Sequence, residues 1–248
     1  MKNLTRFKMP YRRLPNTDLA RIRAMRAAVK KGSIVPPFQL AYSQPLLLKI
    51  KPFLASFEKA VVEQRNATDM QANKNKEYTK VYKKAQMYIS HFIQVLNFTI
   101  LRGELPAKVR NYYGFDLDSN KVPSLNNEEE LITTGEKLIK GEHTRTMNGG
   151  TPILNPKITL VSMHYEKFME MYNNQKKLKE NSSKANIKVA TMRINADELI
   201  LELWNEIENH FTELNPAEKR KKCEEYGLVY VFRKTEKQTI SRFMQMSA

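Results

Sequence analysis

Apolar residues recur in steps of three and four along two long parts of the chain. Tyr78, Val81, Ala85, Tyr88, Phe92, Val95 and Thr99 form one such series. Ile158, Val161, Tyr165, Phe168 and Tyr172 form a second, and Ile200, Leu203, Trp204, Ile207 and Phe211 a third. This spacing is that of a helix burying one side. The same parts exclude helix breakers: Gly and Pro are absent from Phe53 to Arg102 and from Lys157 to Asn215. Gly costs about 1 kcal/mol and Pro about 3 kcal/mol inside a helix, so long stretches free of both argue for helix. A single helix of that length would run about 75 Å, long for a compact domain. Each stretch is therefore expected to fold back once, at the polar runs Gln71-Ala72-Asn73-Lys74-Asn75 and Glu180-Asn181-Ser182-Ser183.

The expected fold is all-α: a four-helix up-and-down bundle made of hairpins 45–106 and 156–216. Pro45 and Asn155-Pro156 open the hairpins, Pro106 and Asn215-Pro216 close them, and Pro52 should kink the first. Phe57-Glu58-Lys59 and Tyr165-Glu166-Lys167 occupy similar depths in the two. Duplication accounts for that, and so do two unrelated hairpins spanning one core. Residues 1–44 form a basic segment with a short helix over Thr17–Lys31. Asn16 is its expected N-cap, Leu19, Ile22, Met25 and Val29 its inner face, and Gly32 its stop. The connector 107–155 should carry a helix near Asn126–Ile139. A short helix follows Asn215-Pro216, and Leu228–Phe232 reads as a strand. That strand needs a partner, either Gln39–Tyr42 or a second copy of the protein. Residues 234–248 read as a mobile tail.

Charge narrows the choice of partner. The 248 residues carry 42 Lys+Arg against 26 Asp+Glu, a formal +16. Ten of those bases and one acid lie in residues 1–31, while Asp197, Glu198, Glu202, Glu206, Glu208 and Glu213 run without a base among them. Arg6, Lys8, Arg12, Arg13, Arg23, Arg26 and Lys30 are therefore candidate contacts for nucleic acid or another anion. Tyr11 is placed to stack on a base. Alternatively, the basic segment docks on the acidic last helix of its own chain or of a neighbour. No helix-turn-helix, zinc finger, RRM or KH signature accompanies the charge.

Catalytic motifs are sparse. Residues three before His91, His143, His164 and His210 are Tyr88, Lys140, Val161 and Ile207, so Glu-x-x-His is missing and a di-metal carboxylate bundle is not indicated. Neither a phosphate loop nor a Gly-x-Ser-x-Gly elbow is present. No catalytic residue, metal ligand or cofactor site is assigned. His91 and His164 either face each other across a pocket or sit as core-boundary histidines. Asp197, four residues after Arg193, is either a buried acid or half of a surface ion pair. Arg110, Tyr112 and Tyr113, on the aromatic loop after the first long stretch, either line a ligand pocket or, with Phe115, cap the bundle. Cys223, the one cysteine, excludes a disulfide framework; Lys219–Lys222 before it would lower its pKa if they face it, whereas the commoner role of a Cys on a short amphipathic helix is packing. No secretory signal or membrane-length apolar run is visible, so the expected location is the cytoplasm and no membrane partner is expected.

The passages Tyr88-Ile89-Ser90-His91-Phe92-Ile93-Gln94-Val95-Leu96-Asn97 and Glu225-Tyr226-Gly227-Leu228-Val229-Tyr230-Val231-Phe232 resemble a family of uncharacterised helical proteins from Bacteroides-group bacteria. The resemblance implies a bacterial, cytoplasmic, helical protein and transfers no activity, cofactor or catalytic residue. The expected function is a non-enzymatic interaction or assembly protein, with a protein partner or self-association. The alternative is sequence-independent nucleic-acid binding through the basic segment.

Overall fold

A computed structural model describes residues 10–232. Arg6, Lys8 and the tail 234–248 lie outside the described residues. The chain is all-α apart from one small sheet. In order it forms strand β1 (Tyr11–Arg12), helices α1 (Asp18–Ile34), α2 (Gln44–Leu101), α3 (Glu128–Met147), α4 (Ile158–His210) and α5 (Pro216–Glu225), then strand β2 (Tyr230–Val231). Short 3-10 turns occupy Pro37–Gln39 and Ala107–Tyr113.

The two expected hairpins do not form. α2 runs unbroken for 58 residues and α4 for 53, straight through the polar runs read as turns, and α2 carries Pro52 inside it. The up-and-down arrangement built on those turns is therefore corrected. Compactness is reached differently. The chain divides into two compact units, one of residues 1–66 with 184–248 and one of residues 67–183. Each unit takes part of each long helix, so neither needs the helix to reverse. The polar runs lie beside the unit boundaries. Residues 72–75 are exposed on α2.

In the first unit, α1 is capped by Thr17 rather than Asn16: Thr17 Oγ1 accepts from the Ala20 N–H at 3.2 Å. The helix passes through Gly32 and ends at Ile34, with Val35 as its C-cap, later than the glycine suggested. Ile22 and Met25 are buried as expected, Val29 is half-buried, and Leu19 is exposed. Ile22 and Met25 join Leu46, Ile50 and Phe57 of α2, and Ile200, Leu203, Trp204 and Ile207 of α4, in one core, with Val29 packed against it. Full burial of each large apolar side chain stabilises by roughly 1.5–3 kcal/mol. Asn215 caps α5 through the Ala217 and Glu218 N–H groups, as its sequence position indicated. β2 pairs antiparallel with β1, in register Tyr11↔Val231 and Arg12↔Tyr230. The Gln39–Tyr42 pairing is thus corrected; Leu40, Ala41 and Tyr42 are instead buried in the core. Gly227, at φ +91°, turns the chain beside α1, where an added Cβ would meet Ala27 Cβ at 2.6 Å.

In the second unit, α3 is longer than the expected 126–139 helix and is capped by Asn127, whose Oδ1 accepts from the Glu130 N–H at 2.8 Å. Its core joins Ile89, Phe92 and Leu96 of α2, Tyr113, Leu131 and Leu138, and Val161 and Phe168 of α4. Gly141 permits the closest approach: a Cβ there would run into the Tyr112 carbonyl.

Candidate functional site

Two groups of side chains stand out in the first unit. The first joins the basic head of the chain to α4. β1 holds Arg12 beside that helix, where its Nη1 donates to Asn205 Oδ1 and Glu208 Oε2, each at 2.9 Å. Tyr230, paired with Arg12 across the sheet, donates its hydroxyl to the other Glu208 oxygen at 2.6 Å. α1 and α4 then exchange two bidentate bridges. Arg21 donates twice to Asp197 at 2.8 Å, and Arg193 donates twice to Asp18 at 2.8 Å. Asp197 is thus neither a buried acid nor the partner of Arg193; the i,i+4 reading is corrected, because α1 supplies both partners. The Arg193 hydrogen bonds hold the Asp18 carboxyl below the usual carboxylate range, partly offset by burial. Arg26 is bridged to Glu58 at 2.6 Å, and the backbone N–H of Ser43 donates to Glu206 at 2.6 Å. Of the acids in the run on α4, Asp197 and Glu208 are thus met by arginines of the chain's own head, and Glu206 by the Ser43 N–H.

The second group is a cleft of about 520 Å³ at the start of α1. Leu14, Ala20 and Ala24 supply apolar wall, Arg13 and Arg23 supply charge, and Trp204 lines it from α4. Arg13 and Arg23 are exposed, and no acid among the described residues pairs with either, or with Lys30. Trp204 is 1 % exposed and its Nε1 has no hydrogen-bond partner. Buried donors are almost always satisfied, so this one is notable. The sequence had placed Arg13 and Arg23 in a broad anion-binding face and Trp204 on an apolar stripe. Their convergence needed the fold.

The candidates in the second unit resolve into structure. His91 is exposed and His164 is buried, so the two do not form a shared pocket. Tyr88 takes the expected place of His91, with its ring stacked on His164 at 4.2 Å between centroids. Burial, and next Lys84 and Lys167, lower the His164 pKa. Arg110 is buried and braces its own loop, donating to the carbonyls of Asp116 and Ser119 and to Asn120 Oδ1. Tyr112 is exposed, whereas Tyr113 is fully buried and donates to Glu142. Arg145 Nε donates to the Tyr113 hydroxyl at 3.0 Å and to Glu142 at 2.8 Å, and Glu142 also accepts from the Ile153 N–H at 3.2 Å. This buried Tyr113–Glu142–Arg145 cluster escaped sequence reasoning. Its one signal was a Glu and an Arg three apart on α3, a spacing equally common on exposed faces.

Cys223 is buried, and burial raises its thiol pKa above the ordinary value. The packing reading of Cys223 is the one that holds, and desolvation outweighs the nearby bases. Among the described residues no three His, Cys, Asp or Glu side chains converge to hold a metal ion, and no helix is long and apolar enough to cross a membrane.

The chain matches no family model, no curated protein and no solved structure.

Proposed function

We propose that the protein is a non-enzymatic assembly protein that associates with a second copy of itself through the turn joining α1 to α2. The observation that carries this reading is the exposure of three large apolar side chains at and flanking that turn: Ile34 at the end of α1 at 67 %, Phe38 in the turn at 83 % and Leu48 early in α2 at 70 %. Grouped apolar exposure of this kind is typical of protein interaction surfaces. A patch meeting its own copy across a two-fold axis is the commonest way a soluble chain covers one. The resemblance to helical proteins of Bacteroides-group bacteria adds no activity to this reading.

Sedimentation velocity over a concentration series tests it. The wild type should shift toward a dimer as concentration rises, and Phe38→Asp should stay monomeric. A wild type that remains monomeric throughout removes the reading.

The alternative, sequence-independent nucleic-acid binding, is favoured by Arg13, Arg23 and Lys30, which lack acid partners among the described residues. It is weakened by the bridges that occupy Arg12 and Arg26. A salt titration against random DNA and RNA decides it: affinity that falls steeply with salt supports the alternative, and no binding at low salt ends it.

A further inference from the structure

The cleft at the start of α1 combines three features that packing alone leaves unexplained. Its two arginines differ from their neighbours on the same segment. Arg12, Arg21 and Arg26 each reach a carboxylate of the chain, while Arg13 and Arg23 reach none and border the same cleft. Trp204, one of the residues lining that cleft, carries a buried N–H without an acceptor. The remaining wall is largely apolar, with Leu14, Ala20 and Ala24 contributing. A ligand suited to such a site carries negative charge at one end and hydrocarbon along the rest. Charge meeting guanidinium gains charge-assisted hydrogen bonds, and an apolar body gains by leaving water.

We propose that this cleft binds a small molecule with an anionic headgroup on an apolar body. The headgroup is held by Arg13 and Arg23, and the body lies against Trp204, Leu14, Ala20 and Ala24. A ligand body lying against the indole of Trp204 would change the environment of that ring. The site is separate from the exposed turn at Phe38, and Phe38→Asp leaves it intact, so failure of self-association and failure of this proposal are read independently.

Trp204 is the one tryptophan of the chain, and its emission therefore reports on the site alone. The full chain is titrated below the micelle concentration with decanoate, decyl phosphate and the neutral analogue decanamide, with calorimetry as a second readout. The expected result is a saturable change of Trp204 emission with at least one anion, about tenfold tighter than with the amide. The stronger of the two anions identifies a carboxylate or a phosphate headgroup. Arg13→Gln with Arg23→Gln, both at exposed positions, should weaken the anion about tenfold and leave the amide unchanged. Ala20→Leu, which fills the cleft, should weaken both. Circular dichroism establishes that each variant is folded. Equal binding of amide and anions, no binding of any probe, or anion binding indifferent to the double substitution overturns the proposal.

Discussion

Arg193 of α4 donates two parallel hydrogen bonds, each 2.8 Å, to the carboxylate of Asp18 in the first turn of α1. One turn along each helix, Arg21 and Asp197 repeat the contact with the charges exchanged. The reciprocal arrangement sets the register of α1 on α4 more specifically than apolar packing would. A slip by one turn would leave like charges facing each other.

This register has a pH signature. Because the folded pKa of Asp18 is lowered, its contribution to stability is present above the unfolded value of about 3.9 and is lost as pH falls through the folded value. Asp18→Asn should lower stability by about 1 kcal/mol at pH 7, a modest figure because Arg193 is 38 % exposed. Urea denaturation of both proteins from pH 7 down to pH 2.5 checks this. The gap between them should narrow toward acid, and a gap independent of pH would show that the bridge contributes nothing electrostatic.

Continuity of α2 is open to a direct substitution. Asn73 is exposed in the middle of the helix, in the run that a hairpin would use as its turn. Asn73→Pro should cost about 3 kcal/mol and reduce helical ellipticity, as Pro does within any helix. In a turn it would be tolerated. An unchanged urea midpoint contradicts the continuous helix.

The buried Tyr113–Glu142–Arg145 cluster should respond unequally to its members. Glu142 is fully buried and Arg145 is 3 % exposed. Glu142→Ala leaves an uncompensated guanidinium inside and should cost about 3–5 kcal/mol. Tyr113→Phe keeps the ion pair and the ring packing and should cost about 1 kcal/mol. Equilibrium unfolding of both variants compares the losses. Equal losses would mean that the hydroxyl, rather than the charge pair, dominates the cluster.

Cys223 should be inert in the native state. Burial both raises its pKa and blocks access, so a disulfide reagent at pH 8 should react only in denaturant or at the rate of local opening. Rapid stoichiometric labelling of the native protein would contradict its placement in the core.

The extent of helix was legible in the chain because backbone cost is local. The exclusion of Gly and Pro over residues 53–102 and 157–215 marked both long helices, and Asn215-Pro216 marked the start of α5. Basic residues at the head of the chain and acids on α4 were equally visible, since charge is a property of composition. Helix length was not legible, because compactness requires a reversal only where one helix serves a single core, and here each long helix serves two. Asn73, Lys74 and Asn75 are exposed on a continuous helix, and polarity alone does not distinguish an exposed stretch of helix from a turn.

What the sequence by itself determined is where helix is affordable and where charge accumulates, both consequences of single residues and their near neighbours. Only the tertiary structure decided the pairings that depend on distant segments. It matched Arg21 with Asp197, placed Tyr88 rather than His91 on His164, sealed Glu142 and Arg145 inside, and brought Arg13, Arg23 and Trp204 to one cleft. The physical reason is that spacing of three and four places a side chain on a face, but the partner of that face is distant along the chain, 176 residues for Arg21 and Asp197, and only packing selects it.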